Sequence, residues 1–177
     1  MEKSLKSIAT NHGLYLGIAL SLWTILGYAI DLSLLVNFWI NLLVIPLVII
    51  ATGIFVIGKC KSVSKGFISF KGAFTSFFIT VLVGIVVSSL VSILLFNFID
   101  PDAALAIKEM AIEKTVTMME GFGAPADKID EQVEAIEAQN LFSIKTQLFQ
   151  LGQGLVFFII IGLIAAAIMK KSDPDAE

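Results

Sequence analysis

Apolar and polar positions divide the chain into four long apolar runs and one amphipathic stretch. The runs cover residues 13–30, 34–57, 72–99 and about 147–169, and none contains a charged side chain. At 1.5 Å per residue, each reaches across a hydrocarbon core of about 30 Å. Backbone groups in lipid find no water, so a spanning segment must bond internally, and helices are the expected form. The runs are too long and too continuous for the strands of a membrane barrel. The first run follows Lys3 and Lys6 as a signal peptide would. It is long for such a segment, however, and no A-x-A site precedes Asp31, so it is read as a retained helix. Asp31-Leu32-Ser33 then forms a tight turn into the second helix.

Residues 100–145 follow a different pattern. Asp100-Pro101 is a helix start, with Asp as N-cap and Pro at the first helical position. Leu105, Ile112 and Met119 recur every seven residues, while Glu109, Glu113 and Glu120 take the opposite side. That is the pattern of an amphipathic surface helix reaching about Glu120. Gly121-Phe122-Gly123-Ala124-Pro125 breaks it, and a second helix runs from Pro125 to about Asn140. The fold class expected is all-α: one membrane domain over residues 1–177, a four-helix transmembrane bundle with an amphipathic helical hairpin outside, between helices three and four.

Within the runs, small residues form rows. The third run carries Gly72, Ser76, Thr80, Gly84, Ser88 and Ser92 at every fourth position, and the first carries Gly13, Gly17 and Ser21. In lipid, helices associate by close backbone approach, and small residues four apart permit it. Both rows are read as helix-packing faces, within one chain or between chains. The alternative for the third run is a hydroxyl-lined pathway. Pro46 lies inside the second run, where it removes a donor and crowds the carbonyl of Leu42, so a kink is expected. Asn37 and Asn41 precede it one turn apart and are expected to clasp a neighbouring helix. Gln147, Gln150 and Gln153 open the fourth run and are read as a polar end near the outer boundary.

Charge orients these elements. The net charge is only −3, but all 12 basic residues are lysines and they segregate. Lys3, Lys6, Lys59, Lys61, Lys65, Lys71, Lys170 and Lys171 flank the runs on one side, with only Glu2, Asp173, Asp175 and Glu177 as acids there. The other side holds four lysines and eleven acids. Lysine-rich short segments stay in the cytoplasm, which puts both termini inside and residues 100–145 outside. A hydrophobic fraction of 57% and a mean hydropathy of +0.92 agree with a bilayer as the main partner. A second copy or other membrane proteins are the further partners considered, and no nucleic acid is expected.

Little chemistry is available. One cysteine, Cys60, excludes an intrachain disulfide and a thiolate zinc site. Flanked by Lys59 and Lys61, it is read as an inert interfacial thiol, with acylation as the alternative. One histidine, His12, makes no catalytic pair by itself. The outer acids are spread along helices rather than spaced as in a calcium loop, so they read as a solvated face. No catalytic residue, cofactor site or metal site is assigned, and no ionisable group lies at membrane depth, which disfavours proton coupling, ion conduction and intramembrane catalysis.

Three segments together resemble a known family. They are Asn11-His12-Gly13-Leu14, the stretch Gly66-Phe67-Ile68-Ser69-Phe70-Lys71-Gly72-Ala73-Phe74, and Asn97-Phe98-Ile99-Asp100-Pro101. In order and spacing they resemble the bacterial domain of unknown function 4199, over about Lys3 to Lys171. The resemblance implies a small multi-pass protein of the bacterial cytoplasmic membrane with an outer helical segment, and no activity. The favoured function is a non-enzymatic subunit or scaffold of a membrane assembly. Its alternatives are a transporter or channel for a neutral or hydrophobic solute, and an extracytoplasmic sensor working through the acidic hairpin.

Overall fold

The computed structural model describes residues 2–171; Asp173, Asp175 and Glu177, counted above on the lysine-rich side, lie outside the described residues. The chain is all-α. Helix α1 spans Glu2–Ile30, α2 Ile45–Val63, α3 Phe70–Leu94, α4 Pro101–Gly121, α5 Ala126–Glu137 and α6 Ile144–Met169. Two π-helical turns extend the set, Ile40–Val44 ahead of α2 and Leu95–Ile99 after α3. With these turns included, four helices are long and apolar enough to cross a membrane: Lys3–Ile30, Ile40–Val63, Phe70–Ile99 and Ile144–Met169.

Local sequence explains the boundaries. Ser69 and Ser143 cap α3 and α6, their side chains accepting from the backbone N–H groups of Gly72 and Thr146. Asp100 caps α4 in the same way, accepting from Ala103 N at 3.0 Å, with Pro101 behind it. After α2, Lys65 at φ +55° and Gly66 at φ +89° both take left-handed backbone, and the Gly66 N–H donates to the Lys61 carbonyl at 2.9 Å, closing the helix end.

The second helix begins later than the expected residue 34. Leu32–Leu34 is a 3-10 turn capped by Asp31, and helical structure resumes at residue 38. Asn37 causes the delay. Its side-chain oxygen accepts from Trp39 N at 3.1 Å and Ile40 N at 3.2 Å, as an N-cap does, and the chain before it cannot stay helical. At Pro46 the helix widens rather than breaks. The π turn, closed by Ile45 N to Ile40 O, lies immediately ahead of the proline, where a normal turn would lack a donor and collide with the ring. The second π turn likewise precedes a proline, closing with Asp100 N on Leu95 O at 2.8 Å just before Pro101.

Packing divides the bundle into two halves. In the half nearer the lysines, Phe77 of α3 is wedged between α2 and α6. A Cβ on Gly53 or Gly162 would lie 2.5 Å or 2.7 Å from its ring, so both facing positions have to be glycine. Ala73, Val56, Ile57 and Ala166 close the space around it. The end of α6 is also tied there. Lys61 Nζ donates to the Met169 carbonyl at 3.0 Å, and Ile68 and Lys171 exchange backbone hydrogen bonds at 3.0 and 2.9 Å. In the opposite half a second cluster, Leu95, Phe96, Ala103 and Ile107, packs α4 onto the ends of α1 and α3. Tyr28 Oη donates to Asp100 Oδ2 at 2.9 Å, Asn97 Nδ2 to the Phe142 carbonyl at 2.7 Å, and Lys114 Nζ to the Ser33 carbonyl at 3.0 Å. Helix α5 leans on α4, where Lys108 Nζ donates to the Glu137 carbonyl.

Candidate functional site

The two small-residue rows meet each other inside one chain. A Cβ on Gly13 would lie 2.8 Å from Val83 Cβ and 2.9 Å from the Thr80 carbonyl oxygen. On Gly17 it would meet Val87 Cβ at 2.6 Å, and on Gly84 it would meet Leu16 Cδ2 at 2.6 Å. Thr80 Oγ1, fully buried, donates across to the Ala9 carbonyl at 3.2 Å and along its own helix to Ser76 O at 2.8 Å. Ser21 and Ser76 are buried too, each bonding the carbonyl four residues back. Gly72 lies at the capped start of α3, against Ser69 and Ile68.

Ser88 and Ser92 do not share that contact. Each four-residue step turns a helix by about 400°, so the row advances about 40° per step and rotates roughly 120° from Thr80 to Ser92. The row therefore leaves the α1 face and enters a partly open cleft of about 320 Å³ in the half away from the lysines. Four apolar helices contribute to its walls: Trp23 and Thr24 of α1, Asn41 and Ile45 of the helix over Ile40–Val63, Ser88, Ser89 and Ser92 of α3, and Gln147 of α6. Phe96, Ile107 and Phe142 border its end away from the lysines, the rings of Phe96 and Phe142 lying 4.2 Å apart.

The asparagine clasp requires correction. Asn37 caps its own helix, and Asn41 Nδ2 donates to the Leu35 and Asn37 carbonyls at 2.8 and 2.9 Å, so both bond locally and neither clasps another helix. Asn97 to Phe142 and Tyr28 to Asp100 are polar ties between distant segments that sequence reasoning did not assign. The available signal was position: Asn97 stands three residues before the Asp100 cap, and Tyr28 three before Asp31.

The three glutamines also separate. Gln147 lines the cleft and bonds the Leu141 carbonyl at 3.2 Å, whereas Gln150 and Gln153 are exposed. Among the described residues, neither exposed amide has a hydrogen-bond partner. Thr146, Gln150, Gln153 and Phe157 lie at helical spacing on this open side, and a Cβ on neighbouring Gly152 or Gly154 would meet nothing within 4 Å.

Charged groups gather at the ends of the apolar helices and in the segments between them. The Ala103 backbone N–H, with the Tyr28 hydroxyl second, holds the Asp100 carboxyl below its ordinary range. The Ser33 hydroxyl and N–H do the same for Asp31. Among the described residues, no three His, Cys, Asp or Glu side chains gather closely enough to hold a metal ion. Cys60 is buried, its Sγ 3.9 Å from the Leu5 carbonyl oxygen.

A family model described as "Protein of unknown function (DUF4199)" matches residues 11–171, nearly the whole chain. No curated protein and no solved structure matches.

Proposed function

We propose, for a chain that belongs to the DUF4199 family of proteins of unknown function, a role as a non-enzymatic subunit of an assembly in the bacterial cytoplasmic membrane. The reading has four spans, both termini in the cytoplasm and α4 with α5 as an extracytoplasmic hairpin. Insertion is supported by the broad apolar surface around the bundle, including Ile168 at 77% exposure, Leu47 at 67% and Phe149 at 66%. A soluble monomer rarely leaves such faces in water. Orientation is supported by the lysines at the ends of α1, α2, α3 and α6.

One observation carries the assembly role: the unpartnered amides of Gln150 and Gln153 on the open side of α6. Gln153 lies nine residues into α6, roughly 14 Å along the helix axis and inside a core about 30 Å thick. An amide facing hydrocarbon without a hydrogen bond costs several kcal/mol, so a partner from outside the chain satisfies it. A glutamine carries donor and acceptor together, and adjacent Gly152 lets another helix approach closely. The Gly13, Gly17 and Gly84 faces do not serve this role, because they are occupied within the chain.

The test is cysteine cross-linking in intact cells. In a Cys60→Ala background, Gln153→Cys should form a discrete adduct, while Leu47→Cys and Ile168→Cys, on other exposed faces, should not. Mass spectrometry of the adduct identifies a second copy or another membrane protein. A strictly monomeric protein in mild detergent, with no adduct at position 153, would sink the reading.

A further inference from the structure

We propose that the cleft between α1, the second span, α3 and α6 binds an uncharged amphipath drawn from the bilayer, its hydroxyl or carbonyl group held by Ser88, Ser89 and Ser92. The proposal rests on the membrane-spanning reading but is independent of the assembly role.

The serines carry the argument. Elsewhere in the apolar helices, Ser21, Thr24, Thr52, Ser76 and Thr80 each donate to the carbonyl four residues back, which satisfies a hydroxyl away from water. Ser88, Ser89 and Ser92 do not; Thr10 of α1 and Thr75 of α3 also make no such bond, but neither lines the cleft. The three serines are half-buried, they line the cleft, and among the described residues their hydroxyls have no hydrogen-bond partner. Three free donor-acceptor groups therefore stand on one wall, with Thr24, Asn41 and Gln147 as the other polar groups around it.

The remaining walls define the ligand. No ionisable side chain lines the cleft, so nothing there offsets the cost of desolvating a charge. Most of the lining is apolar: Leu20, Trp23, Ile45, Ile49 and Ile85 suit a hydrocarbon chain beside the polar wall. A volume of about 320 Å³ is at the lower end for small-molecule sites. Access follows from what is closed. Phe77 fills the space between Gly53 and Gly162 toward the lysine-bearing end, and Phe96 with Phe142 borders the outer end. The side between helices is left, and that side faces lipid.

Trp23 provides the readout, because it lines the cleft whereas Trp39 is 64% exposed on the surface. In full-length Trp39→Phe protein in lipid nanodiscs, Trp23 fluorescence is titrated with a monoacylglycerol carrying a brominated acyl chain. Saturable quenching is expected. The triple change Ser88→Ala, Ser89→Ala, Ser92→Ala removes the hydroxyls while conserving the fold; it should weaken the glyceride about tenfold, the worth of roughly one net hydrogen bond for the three groups together. It should leave a brominated alkane of equal length unaffected. The ionised brominated fatty acid at alkaline pH should not saturate, and glycerol in the aqueous phase should not compete. The proposal is overturned if glyceride quenching rises linearly without saturation. It is equally overturned if the triple variant binds the glyceride as well as the parent, if the ionised acid binds as tightly, or if glycerol displaces the probe.

Discussion

At the scale of single residues, Asp100 has the most consequences. One carboxylate caps α4 through Ala103 N and receives the Tyr28 hydroxyl, so it joins α1 to the start of α4. Because both bonds favour the charged form, the folded pKa lies below the ordinary carboxylate value. A depressed pKa stabilises the fold fully above the unfolded value of about 4, and that contribution disappears as pH falls through it to the folded one. Thermal stability in detergent should therefore be flat from neutral pH to about 5 and then decline, more steeply in the parent than in Asp100→Asn, which cannot titrate. Asp100→Ala should lower the melting temperature by more than Tyr28→Phe, since the first removes the cap and the tie while the second removes only the tie. Equal losses from the two variants would show that the cap contributes nothing.

At the scale of elements, glycine decides how closely helices approach. Gly13 faces a backbone carbonyl, that of Thr80, as well as Val83, so a methyl group there cannot be accommodated by rotating a side chain. Gly13→Ala should push α1 off α3 and cost about 1–3 kcal/mol, the range for overpacking. Gly84→Ala should cost less, because its nearest neighbour is the flexible end of Leu16, and Gly152→Ala should not destabilise the single chain, within which nothing lies within 4 Å of it. Unfolding in a denaturing detergent series measures the order, and a Gly13→Ala protein as stable as Gly152→Ala would refute the close-packed α1–α3 face. Pro46 acts differently. The proline is absorbed by a π turn that contains Asn41, so Pro46→Ala should restore a normal turn, rotate Asn41 relative to the cleft, and shift Trp23 emission without unfolding the chain.

For the whole molecule, orientation is directly testable. Native Cys60 is buried, so Cys60→Ala should disturb labelling little, and single cysteines then report sidedness. Asp127→Cys on α5 should react with a membrane-impermeant maleimide in intact spheroplasts, whereas Ser62→Cys near the end of α2 should react only after permeabilisation. The opposite pattern would overturn the proposed topology. Much of this architecture was legible in the chain, for physical reasons. Apolar runs without charge have one stable form in lipid, and Asp100-Pro101 and Gly121 to Pro125 start and break helices through local backbone geometry. The sequence by itself thus determined the number of apolar helices, their approximate limits and the lysine asymmetry. Contacts between segments far apart in sequence were decided only in three dimensions. Asn37 became a cap rather than a clasp because the nearest unpaired donors were its own backbone neighbours, Trp39 and Ile40. The row from Gly72 to Ser92 split between a packed face and an open cleft because a four-residue repeat drifts around a 3.6-residue helix, and neighbouring helices define which part is covered. Gln147 turned into the cleft while Gln150 and Gln153 turned away from it, a distinction set by how α6 is rotated against α3.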